Sequence, residues 1–461
     1  MDYTDTIAAI STPYGKGGVA LIRISGSDAL TVAEKIFSAK LSECKPNTAV
    51  YGKIFAYAPD GERCQIDDGI ATVFKSPRSF TGEDTVELCC HGGVLITRTV
   101  LAACFAAGAR QATAGEFTRR AFVNGKLGLD SAEALGALLD AGTQEQMKLA
   151  RSGLDGTLSK KTDLLYESLL EIVSEMRADI DFPDEDVSQM SPDELRERLV
   201  AVRDETQRLA ATYSTGRAVR EGIVTVICGA TNAGKSSIYN NMVGCDAAIV
   251  TDIAGTTRDV LTDTVSFGGV TLKLSDTAGL RSSEDPVERI GIERSYGAID
   301  SAELILAVFD GSKDEPDSRE LELVERIKKS KAYTVGVVNK ADLCRSDKMV
   351  ALAAELDDSV TVSAKSGEGL DLLAEAVSRA FVDGSIDISR DAVVSTARQY
   401  AALTGASEAL GAALNTLDSG MPTDFVCSDA EVALVRLAEV GGRETAEDIV
   451  GSIFSKFCVG K

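Results

Sequence analysis

The sequence predicts a multidomain protein that combines α+β and α/β architecture with a helical domain. Three observations carry that expectation. A chain of 461 residues is long enough for about three domains. Residues 223–383 alternate strand-like runs with helical patterns, which implies a mostly parallel sheet covered on both faces. The flanking stretches, 127–222 and 384–461, carry apolar residues at helical spacing.

Taken in order, IAAISTPYGKGGVALIRIS (7–25) reads as strand, Gly-rich turn and strand. With the strand-like GIATVF and a helix candidate around GGVLITRTVLAACFAAG, it suggests an α+β module over 1–126. Helical stretches then run to 222, interrupted by FPDED and restarted by SPDEL, where Ser191 and Glu194 have capping-box spacing. In the alternating region the expected strands are VTVICGA, VTLKLSD, ELILAVFD, YTVGVVNKAD and VTVSAKS. The expected helices are KSSIYNNMV, VERIGIERSYGAI, RELELVERIKK and LDLLAEAVSRAF. The Gly268-Gly269 pair signals a hairpin and hence one antiparallel strand.

Hydrophobic content of 44% supplies ample core. No run of eighteen apolar residues appears, and the start, MDYTDTIAAIS, lacks the basic, then apolar pattern of a secretory signal. A cytoplasmic protein without a membrane span is expected. Ten cysteines with no C-x-x-C pair, and His91 as the sole histidine, argue against zinc and disulfide scaffolds. A net charge of −23 argues against coating nucleic acid by bulk electrostatics. Residues 1–126 carry only +1 of that charge, so any RNA contact is expected at a local patch such as Arg119, Arg120 and Lys126, or through a partner.

The stretch VTVICGATNAGKSSIYNNM fits strand, G-x-x-x-x-G-K-[ST], helix. Gly229 and Gly234 permit the turn that aims backbone N–H groups at phosphates, and the helix start adds partial positive charge. Asn232, Ala233 and Ser237 belong to the same phosphate-binding loop. Lys235 reaches the β and γ phosphates, and Ser236 is a natural Mg²⁺ ligand. Asp276, Thr277, Ala278 and Gly279 follow a strand, with the carboxylate placed to hold magnesium through water and Gly279 N–H facing the γ-phosphate. Asn339, Lys340, Ala341 and Asp342 end another, where Asp342 can accept both N1–H and the 2-amino group of guanine. Ser363, Ala364 and Lys365 back the base. Together, at strand ends of one α/β unit, these motifs specify a Ras-like P-loop GTPase. Thr256 and Thr257 lie where the first switch segment closes over metal and phosphate, with Thr257 assigned to Mg²⁺. Leu280 stands where a water-orienting glutamine is usual, leaving Glu288 and Arg281 as the nearest substitutes.

These motifs resemble those of the MnmE (TrmE) family of tRNA-modification GTPases along the whole chain. DTIAAISTPYGKGGVALIRISG, SFTGEDTVELCCHGG, AGEFTRRAFVNGKLGLDSAEAL, GATNAGKSS, TDIAGTTRDVL, DTAGLR and the closing FCVGK all align with family signatures. The resemblance implies a folate-binding, dimerising domain at 1–126 and a discontinuous helical domain at 127–222 and 384–461. A GTPase domain at 223–383 would be inserted between the helical halves. It implies a homodimer and an MnmG-type flavoprotein partner carrying FAD. Together they would build an aminomethyl or carboxymethylaminomethyl group on C5 of the wobble uridine of certain tRNAs.

By matching motif, Asn232 resembles the family's K⁺ ligand, joined by Thr251, Ile253 and Thr256, and Glu288 its water-positioning acid. A monovalent cation against the phosphates offsets developing charge as an arginine finger does elsewhere. Arg23, Glu87, Lys126 and Lys461 match positions contacting a tetrahydrofolate derivative, 5,10-methylene or 5-formyl. The resemblance brings Cys458 to the modification chemistry, with an inert terminal thiol as the rival reading. Thr231 replaces a proline frequent in relatives, and Cys89-Cys90 replace Gln-Gly before His91, itself either a packing residue or a pterin neighbour. The competing functions are a non-catalytic switch, such as a ribosome-assembly GTPase, and folate-dependent one-carbon transfer regulated by the GTPase domain.

Overall fold

The computed structural model describes residues 5–57, 62–181, 190–245, 263–274, 299–343, 346–442, 451, 453–455, 457, 459 and 460. The chain divides into two compact units, 1–136 with 442–461, and 137–441.

The first unit runs β1 (Ile7–Ile10), β2 (Val19–Ser25), α1 (Ala29–Ile36), β3 (Thr48–Tyr57), β4 (Arg63–Phe74), β5 (Thr85–His91), α2 (Val94–Ala106), β6 (Arg110–Gln111), α3 (Glu116–Val123) and the start of α4 (Leu129–Asp140). Its sheet has the order β3-β4-β5-β2-β1-β6 and is antiparallel except for β1 with β6. Strand alternation sorts β2 into two faces. Ala20, Ile22 and Ile24 enter a core with Val32, Ile36, Val100 and Cys104 of the covering helices. Arg23 lies on the other face, directly opposite Glu87 of β5.

Residues after Gly441 join this unit. Phe454, 2% exposed, packs with Leu129 and Ala132, its ring 6.1 Å from Phe122 and 5.8 Å from Phe457. Val459 bridges to Ala114, and Ser11 Oγ donates to the Gly460 carbonyl at 3.0 Å. Gly115 has φ +66°, and a Cβ there would overlap the Phe454 carbonyl, so only glycine lets the two backbones meet.

Arg120 corrects the expected basic patch. Its side chain is wholly buried and ion-paired to Asp5 (2.6 Å), Glu83 (3.1 Å) and Glu116 (3.0 Å). A guanidinium left unpaired in that core would be expensive, so the three acids fix it as an internal strut and not as an RNA contact. Lys126 is exposed, its Nζ donating to Pro77 O at 2.8 Å.

The second unit continues with α5 (Gln144–Leu154), α6 (Thr157–Asp181), α7 (Pro192–Ala211), α8 (Tyr213–Arg220), β7 (Ile223–Gly229), α9 (Lys235–Cys245), β8 (Asp263–Phe267), β9 (Val270–Leu274) and β10 (Leu304–Asp310). It closes with α10 (Ser318–Ile327), β11 (Tyr333–Asn339), α11 (Asp347–Ala353), β12 (Asp358–Thr361), α12 (Leu370–Phe381), α13 (Ala397–Asp418) and α14 (Thr423–Gly441). Helices α6, α7, α13 and α14 share one core through Leu169, Leu199, Leu403, Leu410 and Leu437, so helices before and after the α/β segment build a single bundle.

The α/β sheet has the order β12-β11-β10-β7-β9-β8. All pairs are parallel except β8 with β9, joined by Gly268 (φ +64°) and Gly269 (φ +76°) as the hairpin signal predicts. Six of the seven residues of β10 are buried, as expected of a strand covered on both faces. The Ser191 hydroxyl accepts from Glu194 N–H at 3.2 Å, capping α7. Boxes closed in both directions are at Thr143/Gln146, Asp317/Glu320 and Thr396/Gln399. The helix expected at VERIGIERSYGAI lies almost entirely outside the described residues.

Candidate functional site

β7 ends in the P-loop and α9 begins with Lys235. Gly229 (φ +144°) leaves no room for a Cβ against the Val308 carbonyl, nor does Gly234 (φ +99°) against the Asn339 amide nitrogen. Both glycines are therefore dictated by close approach as much as by turn geometry. Asn232 is held at φ +63° and is exposed, as are Ser236 and Ser237. Ala233 is buried. Lys235 Nζ donates to the carbonyls of Gly229 (3.0 Å) and Ala230 (2.9 Å). Burial pushes its ammonium below the usual lysine range. A cation desolvated among loop carbonyls suits a polyanionic ligand, whose phosphates would restore the charged form.

Asn339, 2% exposed at the end of β11, ties three motifs together. Its Nδ2 donates to Ala233 O at 2.9 Å, and its Oδ1 accepts from Ala364 N–H at 2.9 Å. Ser363 Oγ donates to Asp342 Oδ1 at 2.8 Å, orienting an exposed carboxylate beside this hub. Lys340 sits at φ +68° with Nζ 2.7 Å from Asp310 Oδ2. Burial alone would raise the Asp310 carboxyl, but the Lys340 ammonium and the Ser312 hydroxyl and N–H hold it below the usual range. Lys365 is exposed at the same edge. Lys235 and Asp342, 107 positions apart in sequence, thus belong to one cluster of strand ends.

Sequence reasoning missed Asn241, whose Nδ2 donates to Ala364 O at 2.7 Å, and Asp310, partner of Lys340. Asp310 carried a readable signal, a carboxylate at the C-terminal end of the strand between β7 and β11. Asn241 carried none, being an ordinary polar position on α9. Thr251, Ile253, Thr256, Thr257, Asp276, Thr277, Ala278, Gly279, Leu280, Arg281 and Glu288 lie outside the described residues, as do Cys458 and Lys461.

In the first unit, Arg23 Nε donates to Glu87 Oε1 at 2.9 Å. The Arg23 guanidinium lies 5.3 Å from the Phe80 ring centre and 5.6 Å from that of Phe117. Both aromatics escaped the sequence reading. The loop bearing Phe80 continues to Gly82, where an added Cβ would meet the Lys126 side chain at 3.2 Å, so Lys126 borders the same loop. His91 is no packing residue: its ring is exposed, with Nδ1 2.7 Å from Asp67 Oδ1, which raises its pKa. Among the described residues no helix is long and apolar enough to cross a membrane.

The family described as the MnmE helical domain matches residues 129–458, and that of the GTP-binding protein TrmE N-terminus matches 6–126. The tRNA modification GTPase MnmE of Symbiobacterium thermophilum is 42% identical, with 99% of each chain covered. That of Ligilactobacillus salivarius is 40% identical over 99% of this chain and 98% of its own. The chain belongs to the MnmE family. As a member it is a tRNA-modification GTPase that uses GTP and Mg²⁺. Among solved structures, the Era protein of Aquifex aeolicus bound to GDP and aluminium fluoride is similar over 41% of this chain and 66% of its own, at 22% identity and a TM-score of 0.27.

Proposed function

We propose that this MnmE-family chain hydrolyses GTP to drive, with an MnmG-type flavoprotein, the addition of an aminomethyl or carboxymethylaminomethyl group to C5 of uridine 34 in certain tRNAs. The observation that carries the nucleotide half is the Asn339 hub, which gathers the P-loop, Asp342 and Ser363 at one edge of the sheet. In this reading 223–383 is the GTPase domain and 1–126 the folate and dimerisation domain. Residues 127–222 and 384–441 supply the helical domain, while residues 442–461, with the closing FCVGK, belong to the first unit.

The donor sets fit the groups assigned to them. Ser236 presents an exposed hydroxyl at the start of α9 and, with Thr257, would hold Mg²⁺, which offsets phosphate charge. Asn232, Thr251, Ile253 and Thr256 offer carboxamide, hydroxyl and carbonyl oxygens suited to a hard cation such as K⁺. Lys235 neutralises the β and γ phosphates, Asp342 selects guanine, and Glu288 orients the attacking water. In the first unit Arg23, paired with Glu87 and lying beside the Phe80 and Phe117 rings, supports a folate site in which the pair meets polar groups of the ligand, and Lys126 and Lys461 add basic groups for a tetrahydrofolate derivative. FAD belongs to the partner. Cys458, in the closing FCVGK, takes part in the modification chemistry. The protein works in the cytoplasm as a homodimer.

Nucleoside analysis of tRNA from cells lacking the protein tests this. The wobble-uridine substituent should disappear and return with the intact gene; substituent levels that stay normal would reject the reading in favour of a switch acting elsewhere.

A further inference from the structure

The helical part of the second unit holds the β8–β9 hairpin through a polar contact that neither the nucleotide motifs nor helix packing requires. Ser266 and Thr271 are register partners on that hairpin, so their side chains share a face. Ser266 Oγ donates to Glu145 Oε2 at 2.6 Å. Thr143 Oγ1 lies 3.2 Å from Thr271 Oγ1, which itself donates to Val219 O at 3.0 Å. The Thr143 hydroxyl therefore donates to Thr271, and a directed chain runs from α5 through the hairpin to α8. Gln146 closes the circuit, its Nε2 donating to Arg220 O at 3.0 Å. Thr143 is the N-cap of α5, and Thr271 is fully buried.

The position of the hairpin gives this contact its meaning. β9 runs parallel to β7, with Ile223 opposite Leu272, and β7 ends in the P-loop. The closed end is seated on α12, where a Cβ on Gly268 would overlap the Ala374 carbonyl. Five residues of strand at roughly 3.3 Å each make a stiff lever of about 16 Å. Its apolar side chains, Val265, Phe267, Val270, Leu272 and Leu274, share one core with residues of β7, α9 and α12. The joint to α5 and α8 is instead made of hydroxyls, a carboxylate and carbonyls, and its part-buried Ser266–Glu145 bond can exchange for water with little net loss. A two-position element is more easily built from such exchangeable bonds than from interdigitated side chains.

We propose that Thr143 and Glu145 are positioning residues that transmit the nucleotide state from the β8–β9 hairpin to the helical part, so that tRNA modification depends on a contact GTP hydrolysis does not use. The test compares Thr143→Val, Glu145→Ala, Ser266→Ala and the Glu145→Ala/Ser266→Ala double variant in the full chain. GTP turnover and tRNA nucleoside content are read in parallel, with thermal unfolding as the check on folding. GTP turnover should stay within about twofold while modification falls about tenfold, the range of typical inter-site coupling. The double variant should be no worse than its singles, because each removes the same bond. Full modification in Ser266→Ala and the double variant overturns the proposal, as does loss of turnover in step with modification. Should Thr143→Val fail to fold through loss of its cap, Ser266→Ala leaves that cap intact and decides the question.

Discussion

Asn339 reaches 106 positions back in sequence to hold Ala233, its Nδ2 donating to the Ala233 carbonyl at 2.9 Å. The same side chain accepts from Ala364 N–H, so one buried carboxamide spaces the phosphate loop against the base-side motifs. Asn339→Ala would strand two buried backbone groups, each worth about 1–3 kcal/mol. Fluorescent-nucleotide titration should show GTP affinity reduced by about tenfold or more, and undiminished affinity would show that the spacing is set elsewhere.

Asn232 sits exposed at φ +63°, a conformation asparagine tolerates better than most side chains, and the proposed cation site uses its carboxamide. GTP turnover should be much faster in K⁺ than in Na⁺ at equal ionic strength. In Asn232→Ala that difference should collapse, by roughly 10²-fold if the cation supplies part of an arginine finger's effect. Equal rates in the two salts would remove the cation site.

Glu116 reports acid stability of the first unit. Burial alone would raise its carboxyl, but Arg110, the Thr113 N–H and Arg120 outweigh it and hold the pKa at about 2 against an ordinary 4.5. A depressed carboxylate stabilises the fold fully above the unfolded value, and the contribution fades as pH falls from about 4.5 toward 2. The shift corresponds to about 3 kcal/mol at most. Hydrogen exchange of α3 measured between pH 2 and 5 should steepen with acid in the native chain. In Glu116→Gln protection should be lower at neutral pH and nearly flat across that window.

Phe454 anchors the C-terminal segment among Leu129, Ala132, Phe122 and Phe457. Phe454→Ala should destabilise that packing by about 3–5 kcal/mol. Limited proteolysis should then cut near the C-terminus, and tRNA modification should fall while GTP hydrolysis persists. Hydrolysis lost to the same extent would contradict a role confined to the first unit.

The chemistry-bearing motifs were legible because each is local. G-x-x-x-x-G-K-[ST] between strand and helix, N-K-A-D and S-A-K after strands, and the Gly268-Gly269 hairpin all follow from short-range backbone needs. The α/β alternation and the bundle helices were legible from periodicity, which records which faces are buried. Folding partners at long range were not. Nothing in TRRAF tells Arg120, sealed among Asp5, Glu83 and Glu116, from a solvent-facing arginine, since the acids lie up to 115 positions away. The same holds for Asn241 on Ala364, for Phe80 and Phe117 over Arg23, and for the return of Phe454 to Gly115. The sequence by itself determined the elements and the nucleotide chemistry, because strand ends and glycine turns write themselves into neighbouring residues. Only the tertiary structure decided which charges are internal and which segments meet, because burial is a property of the packed whole.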